Sequence, residues 1–508
     1  MTDFWRPAGA GVASVLAGVG AAELVSAFVV QNGSPILTVG ALLIDLAPGW
    51  VKEAVIGLFG TGDKAFLIVS LAVVVVIGAG LAGWLERVRP PVGRILIGVG
   101  GAVGVLAAVT RSGSGIVDAV PSALAALVGI LLLRWLIGIL RDTEPTRVAP
   151  LGRVSRRRFI STTGATAAAG AVALVVGQAV AGGFRAASAA RAAFHLPRPA
   201  RTAPPIPPGA SFDIPGLSPL ITPNADFYRI DTALQIPGVA PEDWRLKITG
   251  MVEHEVDVTF AELLALPLEE STTTLTCVSN EVGGDLIGNA TWLGYPIRHL
   301  LARAKPKPDA DMVLSTSQDG WTAGTPIEAL TDERNAILAV GMNGQPLPLE
   351  HGYPVRMVVP GLYGYVSATK WVVSLEVTRF DQHTAYWTDR GWSERGPVKL
   401  SSRIDVPASG RQVNAGTVTV AGVAWSQHVG VSAVHVRVDE GEWQEATLAD
   451  AISPDTWRQW RYAWQAAPGT HTLRVRATDA KGMVQTSTVR DVVPDGATGL
   501  HSIQVTVA

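Results

Sequence analysis

Thr274-Leu-Thr-Cys277-Val-Ser-Asn280-Glu-Val-Gly283-Gly284 holds the only cysteine of the chain. One thiol forbids an intramolecular disulfide, so no framework of bridges supports the fold. Three roles remain for Cys277: a buried inert thiol, a nucleophile, or a soft thiolate ligand to a metal. A nucleophile needs an activating base, and no such motif accompanies it. The two glycines just downstream allow backbone to come close to a bulky group. The cysteine alone leaves these roles open, and the rest of the chain decides among them.

At 508 residues the chain exceeds one ordinary domain. Charged residues make up only 17% and the mean hydropathy is +0.29, values that point to a membrane portion. A net charge of -2 gives no reason to expect nucleic acid as a partner. Residues 1–185 are strongly apolar, with arginines gathered in short connections. Residues 210–508 have the composition of a water-soluble protein.

Stretches at about 8–30, 64–84, 92–110 and 119–140 have the length and apolarity of spanning helices, and an Ala/Gly-rich fifth covers 160–182. The segment 34–60 is apolar but interrupted by Asp45, Pro48, Lys52 and Glu53, and reads as interfacial or re-entrant. Arg87, Arg89 and Arg94 lie in one connection. Arg141, Arg147, Arg153, Arg156, Arg157 and Arg158 lie in another. The positive-inside rule places both in the cytoplasm, two spans apart, and everything after about residue 185 on the extracytoplasmic side of the cell membrane. Ser155-Arg156-Arg157-Arg158-Phe159-Ile160 before the last span resembles a twin-arginine export signal, although it is internal; the plainer alternative is a positive-inside anchor. Glu23 and Arg134 are candidates for a charge pair within the bundle. All nine histidines lie at or beyond His195, so a bis-histidine haem within the membrane helices is excluded.

Residues 186–215, with Pro197-Arg-Pro199 and Pro204-Pro205-Ile-Pro207-Pro208, read as a stiff extended linker. From 216 to 400 short strands such as Trp244–Thr249 and Pro354–Val359 mix with helical patterns at Phe260–Leu266 and Tyr295–Arg303, an α+β domain. From 401 to 508 the pattern is all-β. Val418–Val423, Ala433–Val438, Trp460–Gln465, Thr472–Ala477 and Val484–Arg490 alternate apolar and polar residues, as in a β-sandwich. Trp387, Trp392, Trp425, Trp443, Trp457, Trp460 and Trp464 read mainly as sandwich and interface core.

Several separated segments carry a more specific signal. They are Thr222-Pro-Asn224-Ala-Asp226-Phe-Tyr228-Arg229, the Cys277-Val-Ser-Asn280 run, Ser317-Gln-Asp319-Gly320 and Met342-Asn-Gly344-Gln-Pro-Leu-Pro. Then follow His351-Gly-Tyr-Pro-Val-Arg356-Met-Val-Val-Pro360-Gly361, Gly364-Tyr-Val-Ser367-Ala-Thr-Lys370-Trp371, Ser402-Arg403-Ile-Asp405, and Pro494-Asp-Gly496-Ala-Thr-Gly499-Leu-His501. Together they resemble the sulfite oxidase family of molybdenum-pterin oxidoreductases, over about 290 residues from near Leu217. The fold this implies is an all-α transmembrane bundle, an α+β sulfite-oxidase-like molybdopterin domain, and an all-β immunoglobulin-like sandwich that often makes a dimer contact.

The resemblance implies that Cys277 binds molybdenum beside the two dithiolene sulfurs of one pterin. His351, Arg356, Ser367 and Lys370 match positions that hold the pterin phosphate. Asn224, Asn280 and Asp319 match positions near the cofactor. Arg229, Asp226 and Tyr228, with Cys277, are the catalytic candidates, and Trp321 is a further candidate for the mouth of the site. There are departures. Glu281 stands where sulfite oxidases carry an arginine, Val423 where they carry a tyrosine over the metal, and Arg229 is about one residue off the family register. An anionic substrate wants clustered cations, so these departures weaken sulfite as the substrate more than they weaken the cofactor.

The expected function is two-electron oxygen-atom transfer on a small, sulfur-containing substrate by a membrane-anchored extracytoplasmic enzyme. Reduction of an S-oxide such as methionine sulfoxide is the second enzymatic candidate, and a membrane-tethered scaffold without catalysis is the third. The chain has no Cys-x-x-Cys-His and no Fe–S cysteines, so a separate redox partner, a cytochrome, quinone or similar carrier, is expected.

Overall fold

The structure, a computed structural model, describes residues 4–28, 33–48, 51, 54–55, 58–59, 62–110, 116–142, 156–180, 182–233 and 236–508. The chain divides into two compact units, one of residues 1–185 with 232–236, the other of 186–231 with 237–508.

The first unit contains α1 (Trp5–Phe28), α2 (Pro35–Leu46), α3 (Asp63–Val88), α4 (Val92–Val109), α5 (Val120–Asp142) and α6 (Arg156–Val180). Among the described residues, five helices are long and apolar enough to cross a membrane, and the 12-residue α2 is not among them. Its length of about 18 Å falls short of a hydrocarbon core of about 30 Å. The interfacial or re-entrant reading of 34–60 falls partly on positions 49–50, 52–53, 56–57 and 60–61, which lie outside the described residues. Small residues let the helices approach: a side chain at Gly11 would strike the backbone of Ala79, and one at Gly83 that of Pro7. This pairs the start of α1 with the end of α3. Gly20 meets Gly170 in the same way, and Gly177 meets Glu23, so α6 runs parallel to α1.

The arginine-bearing ends of α3, α4 and α5 converge. Buried Glu86 accepts from Arg94 Nε at 2.8 Å, and its carbonyl accepts from Arg141 at 3.1 Å. Arg156–Arg158 open α6, whereas Ser155 and the rest of 143–155 lie outside the described residues. The expected Glu23–Arg134 pair does not form. Glu23 is buried and accepts from Ser34 Oγ at 2.7 Å, while Arg134 faces outward.

The second unit takes up α7 (Gly182–Ala193) from residue 186, and the helix ends before the proline-rich stretch. That stretch is docked rather than free. Arg191 donates to the carbonyls of Leu347 (2.7 Å) and Pro346 (3.0 Å), Ala200 N–H to Leu268 O (2.7 Å) and Glu270 N–H to Arg201 O (2.9 Å). The expected stand-off spacer is thus an added edge of the sheet. In the extended chain the Ala200 N–H and the Arg201 carbonyl face the open edge at Leu268–Glu270, which pairs with them.

The mixed α+β region follows with β1 (Arg245–Gly250), β2 (Val256–Thr259), α8 (Phe260–Leu264), β3 (Glu269–Thr276), β4 (Ile287–Pro296) and α9 (Ile297–Ala304). Next come β5 (Met312–Ser317), β6 (Thr322–Pro326), β7 (Ile337–Met342), β8 (Gln345–Pro346), β9 (Arg356–Val358) and β10 (Val372–Thr378). One sheet has the order β2-β1-β10-β5-β6, the other β3-β4-β7-β8 with β9 on β7. The start of α8 is set by a capping box between Thr259 and Glu262. The helix expected from Tyr295 starts only at Ile297, because Pro296 is still the end of β4 and pre-sets the first helical turn.

The last region is a two-sheet sandwich. Its strands are β11 (Ser401–Val406), β12 (Gln412–Val413), β13 (Gly416–Trp425), β14 (Val431–Val438) and β15 (Gln444–Glu445), then β16 (Thr447–Leu448), β17 (Arg458–Ala466), β18 (Gly469–Asp479) and β19 (Ser502–Val507). The orders are β11-β13-β17-β16 and β12-β19-β18-β14-β15. Val420, Val434, Val436, Trp460, Leu473, Val475 and Val505 fill the space between them. Val484–Arg490 is not a strand; single bridges from Val484 and Arg490 hold it, together with buried Gln485, whose amide bonds Ser402, Ala477 and Gly499. The unanticipated β19 takes the place beside β18, because Ile503, Val505 and Val507 alternate inward where 484–490 has no equal apolar face.

Candidate functional site

Strand β3 is buried from Ser271 to Thr276 and delivers Cys277 at its end. Its threonines combine β-branching with hydroxyls that are paired at Thr272, Thr273 and Thr274, where Thr274 Oγ donates to Asn289 Oδ1 at 3.0 Å, but not at Thr276. The loop after Cys277 closes on itself. Cys277 N–H donates to Leu286 O at 2.9 Å, and Leu286 N–H to Asn280 Oδ1 at 2.9 Å. Asn280 therefore shapes the cysteine loop. Cys277 is 8% exposed, and burial pushes its thiol pKa up. Hydrogen bonds from Ser279 and Val278 and the charge of Lys370 act the other way, toward thiolate.

Around it lies an excess of buried positive charge. Arg356, 4% exposed, donates to the carbonyls of His351 (3.2 Å), Met357 (3.3 Å) and Ala368 (3.4 Å), and its guanidinium stands 5.0 Å over the Trp292 ring. No carboxylate bonds it among the described residues. Burial holds its pKa down to about 10. Lys370, 8% exposed, donates to Asp231 Oδ2 (3.0 Å) and Glu350 O (2.9 Å), and burial pushes it down to about 8. Asp231 also accepts from Arg229 Nε at 3.0 Å. Lys370 and the half-buried Arg229 thus share one carboxylate while Arg356 bonds none, so the three cations leave a surplus of two positive charges.

His351 lies against them. Its Nε2–H donates to Asn224 O at 3.2 Å, which leaves Nδ1 as a buried acceptor with no partner. Burial, then Lys370 and Arg356, push its pKa down to about 3, so it is neutral. Phe227 packs edge-on to both His351 (5.6 Å) and Trp292 (5.7 Å) and stacks on Tyr228 (5.3 Å). The Tyr228 hydroxyl and the Thr276 carbonyl both lie 3.8 Å from the Cβ position at Gly364. Burial raises the Tyr228 pKa, Cys277 adds to that, and Arg356 opposes it. Tyr228 therefore belongs to the Cys277–Arg356 environment.

Other sequence candidates are placed differently. Asn224 engages its side chain in structure: its Oδ1 accepts from Asn343 (2.8 Å) and its Nδ2 donates to Met342 O (3.3 Å). It reaches the site only through its carbonyl on His351. Ser367 is buried and donates to Tyr363 O at 2.9 Å, leaving only its lone pairs for an incoming group. Asp319 accepts from Trp321 N–H at 3.3 Å in the β5–β6 turn. Asp226 is exposed in the turn begun by Pro223 and is not drawn into the buried group. Glu281 is exposed as well, and Val423 is core, packed with Leu220, Ile287, Trp425 and Trp457. Sequence reasoning missed Asp231, Trp292 and Asn343. Asn343 was legible as the turn residue of Met342-Asn-Gly344; its φ of 50° is left-handed, a conformation asparagine tolerates.

These residues fit a pterin phosphate and a metal-bound thiolate. The buried atoms without a partner include Thr276 Oγ, Ser317 Oγ, His351 Nδ1 and Trp371 Nε1, each within a motif segment or next to Cys277. Native interiors rarely leave such groups unpaired. A polar ligand rich in donors and acceptors would satisfy them, and a dianionic phosphate would balance the two surplus charges.

Comparison with known proteins agrees. The oxidoreductase molybdopterin binding domain matches residues 233–387, and a bacterial Ig domain matches 401–475. Mitochondrial sulfite oxidase of Mus musculus is 30% identical over 321 residues, 54% of this chain and 58% of that protein. This chain therefore spans little more than half the length of that relative. The uncharacterized oxidoreductase YuiH of Bacillus subtilis (strain 168) is 33% identical over 153 residues, covering 30% of this chain and 74% of that protein. Among solved structures, the sulfane dehydrogenase SoxCD from Paracoccus pantotrophus superposes with a TM-score of 0.50 at 25% identity, over 57% of this chain and 82% of that one. With its cysteine loop, its buried cations and these relatives, the chain belongs to the sulfite oxidase family of molybdopterin-dependent oxidoreductases.

Proposed function

We propose that this chain is a membrane-anchored oxidoreductase that carries out two-electron oxygen-atom transfer on a small sulfur compound, with its catalytic domain on the extracytoplasmic side. The observation that carries it is the buried, carboxylate-poor cation set of Arg356 and Lys370 beside the single thiol Cys277. Such a set is costly to bury unless an anion completes it.

When bound, a molybdenum-pterin centre supplies the oxygen-atom transfer. Cys277 would be the protein's sulfur ligand, its thiolate supported by Ser279, Val278 and Lys370. Arg356 and Lys370 would hold the phosphate, with neutral His351 presenting Nδ1 as an acceptor. Tyr228, protonated at physiological pH, would donate a hydrogen bond at the substrate face. Arg229 is tied to Asp231, so it offers a substrate only part of a positive charge. Together with exposed Glu281 and apolar Val423, this favours a less charged sulfur substrate, such as sulfane or organic sulfur, over sulfite. Electrons would leave to a separate carrier. Reduction of an S-oxide is the competing direction. The sandwich, shared with family members that oxidise sulfur, supports oxidation.

The arginine-bearing ends of α3, α4, α5 and α6 support the orientation. Arg156→Lys with Arg157→Lys should trap folded enzyme inside the cell, and normal export would remove the twin-arginine route. Purified full-length protein should carry molybdenum and pterin near one each. It should reduce ferricyanide with a sulfur substrate faster than it oxidises reduced viologen with methionine sulfoxide. The reverse order would make it an S-oxide reductase. Absence of both metal and pterin would leave a tethered scaffold.

A further inference from the structure

The Cys277 loop is held from outside by residues that the molybdopterin domain does not contain. Arg403, on β11 of the sandwich, is buried and fully engaged. Its Nη1 donates to Gly284 O at 2.6 Å, its Nη2 to Ser218 Oγ at 2.8 Å, and its Nε to Asp405 Oδ1 at 2.6 Å. Asp405 in turn accepts from Ser218 N–H at 3.1 Å. One guanidinium therefore joins the cysteine loop, the lead-in segment and its own strand. The fork geometry suits this, since each bond leaves in the guanidinium plane.

His501, at the start of β19, closes the other side. Its Nδ1 accepts from Ile404 N–H at 3.0 Å, which orients the ring. The ring then lies flush against Gly283, where a side chain would collide with it. Gly283 has a φ of 84°, so this position is reserved for glycine twice over. Gly499 adds a contact, with the Val282 side chain 3.7 Å from its Cβ position. The approach strand is fixed by the sandwich too. Thr274 N–H donates to Asp455 O at 3.0 Å, Trp457 N–H donates to Thr274 Oγ at 2.9 Å, and Gln427 donates to Thr274 O.

We propose that the C-terminal sandwich is a clamp on the Cys277 loop, with Arg403 and His501 as its positioning residues. This rests on the reading of Cys277 as the metal's protein ligand, and assigns the sandwich a role inside the site in addition to any dimer contact. A thiolate ligand must be held within a fraction of an ångström, and loops do not achieve that without surrounding support. The loop's internal bonds fix its curvature. The clamp fixes where it stands.

Because the chain has a single cysteine, maleimide capture of Cys277 reports loop opening without further engineering. The test uses full-length protein produced without cofactor. Arg403→Lys keeps the charge, but a single nitrogen cannot span the three acceptors that three guanidinium nitrogens reach, and it should be labelled at least about tenfold faster than wild type. His501→Ala should behave likewise, and His501→Asn, whose side-chain oxygen can accept from Ile404 N–H, should restore much of the protection. Leu473→Ala, which weakens the sandwich core away from the loop, is the control and should change labelling less than about threefold. If Arg403→Lys and His501→Ala label at the wild-type rate, or if Leu473→Ala accelerates labelling equally, the clamp is refuted. In cofactor-loaded protein poised by a chemical reductant at the Mo(V) level, Arg403→Lys should also broaden the molybdenum EPR signal. A wild type without metal would refute the oxidoreductase reading and leave the labelling result standing.

Discussion

Replacing Arg356 by methionine should leave the cofactor-free protein almost as stable as wild type, while removing most of its hold on cofactor. The two effects come from one fact: Arg356 is a buried cation with no carboxylate bonded to it among the described residues. Its pKa falls from 12.5 to about 10 by burial, and each pKa unit is about 1.4 kcal/mol, so burying the charge costs roughly 3 kcal/mol. Methionine removes that cost. Against it stand the loss of the Trp292 stacking, about 1 kcal/mol, and three long carbonyl contacts at about 0.5 kcal/mol each. The net change is within about 1 kcal/mol of zero. Breaking a buried ion pair would instead cost about 3–5 kcal/mol. With cofactor, a charge-assisted phosphate contact of about 3 kcal/mol disappears, and retention should drop roughly 100-fold. Urea unfolding of the cofactor-free protein measures the first effect, and pterin fluorescence after dialysis measures the second. A loss above about 3 kcal/mol without cofactor, or unchanged retention, would refute this electrostatic reasoning.

His351 gives a pH test. Its pKa is lowered from 6.5 to about 3, so between those values the unfolded chain binds a proton that the folded chain refuses. Stability therefore falls as pH drops below 6.5, by about 3 kcal/mol at pH 4.5, and His351→Gln should flatten that part of the urea-midpoint profile. Asn343→Gly keeps the left-handed turn and removes the bonds to Thr222, Asn224 and Thr291; it should cost about 2 kcal/mol in urea unfolding and loosen cofactor binding through His351. A merely solvent-exposed turn would lose a few tenths. Leu473→Ala in the sandwich core should cost about 3 kcal/mol in thermal or urea unfolding, and a loss under about 1 kcal/mol would mean the core is not packed as described.

Much of this was legible in the chain because its signals were local. Spanning helices need only length and apolarity, and the expected spans 64–84 and 92–110 lie within or within one residue of α3 and α4. Strands β13, β14, β17 and β18 followed from alternation. What failed depended on tertiary context. Val484–Arg490 has β-like residues but no partner strand, and β19 won that place. The proline-rich segment looked free because proline signals extension, not where the extended backbone docks. Within the site, Cys277, His351, Arg356 and Lys370 were found from the family motifs. Asp231 was not, because a carboxylate shared by Arg229 and Lys370, residues far apart in sequence, leaves no spacing to read. Asn224 was identified, but its amide is structural and only its carbonyl meets His351. Arg403 and His501 stood in quoted motifs without a role, since their partners, Gly284 and Gly283, act through backbone and close approach.

The most direct measurement is X-ray absorption at the molybdenum edge on the full-length protein and on Cys277→Ser, with total metal and pterin measured alongside. The wild type should show three sulfur neighbours and the variant two, with pterin retained through Arg356 and Lys370. An unchanged sulfur count in Cys277→Ser would contradict the assignment of Cys277 as the metal's protein ligand.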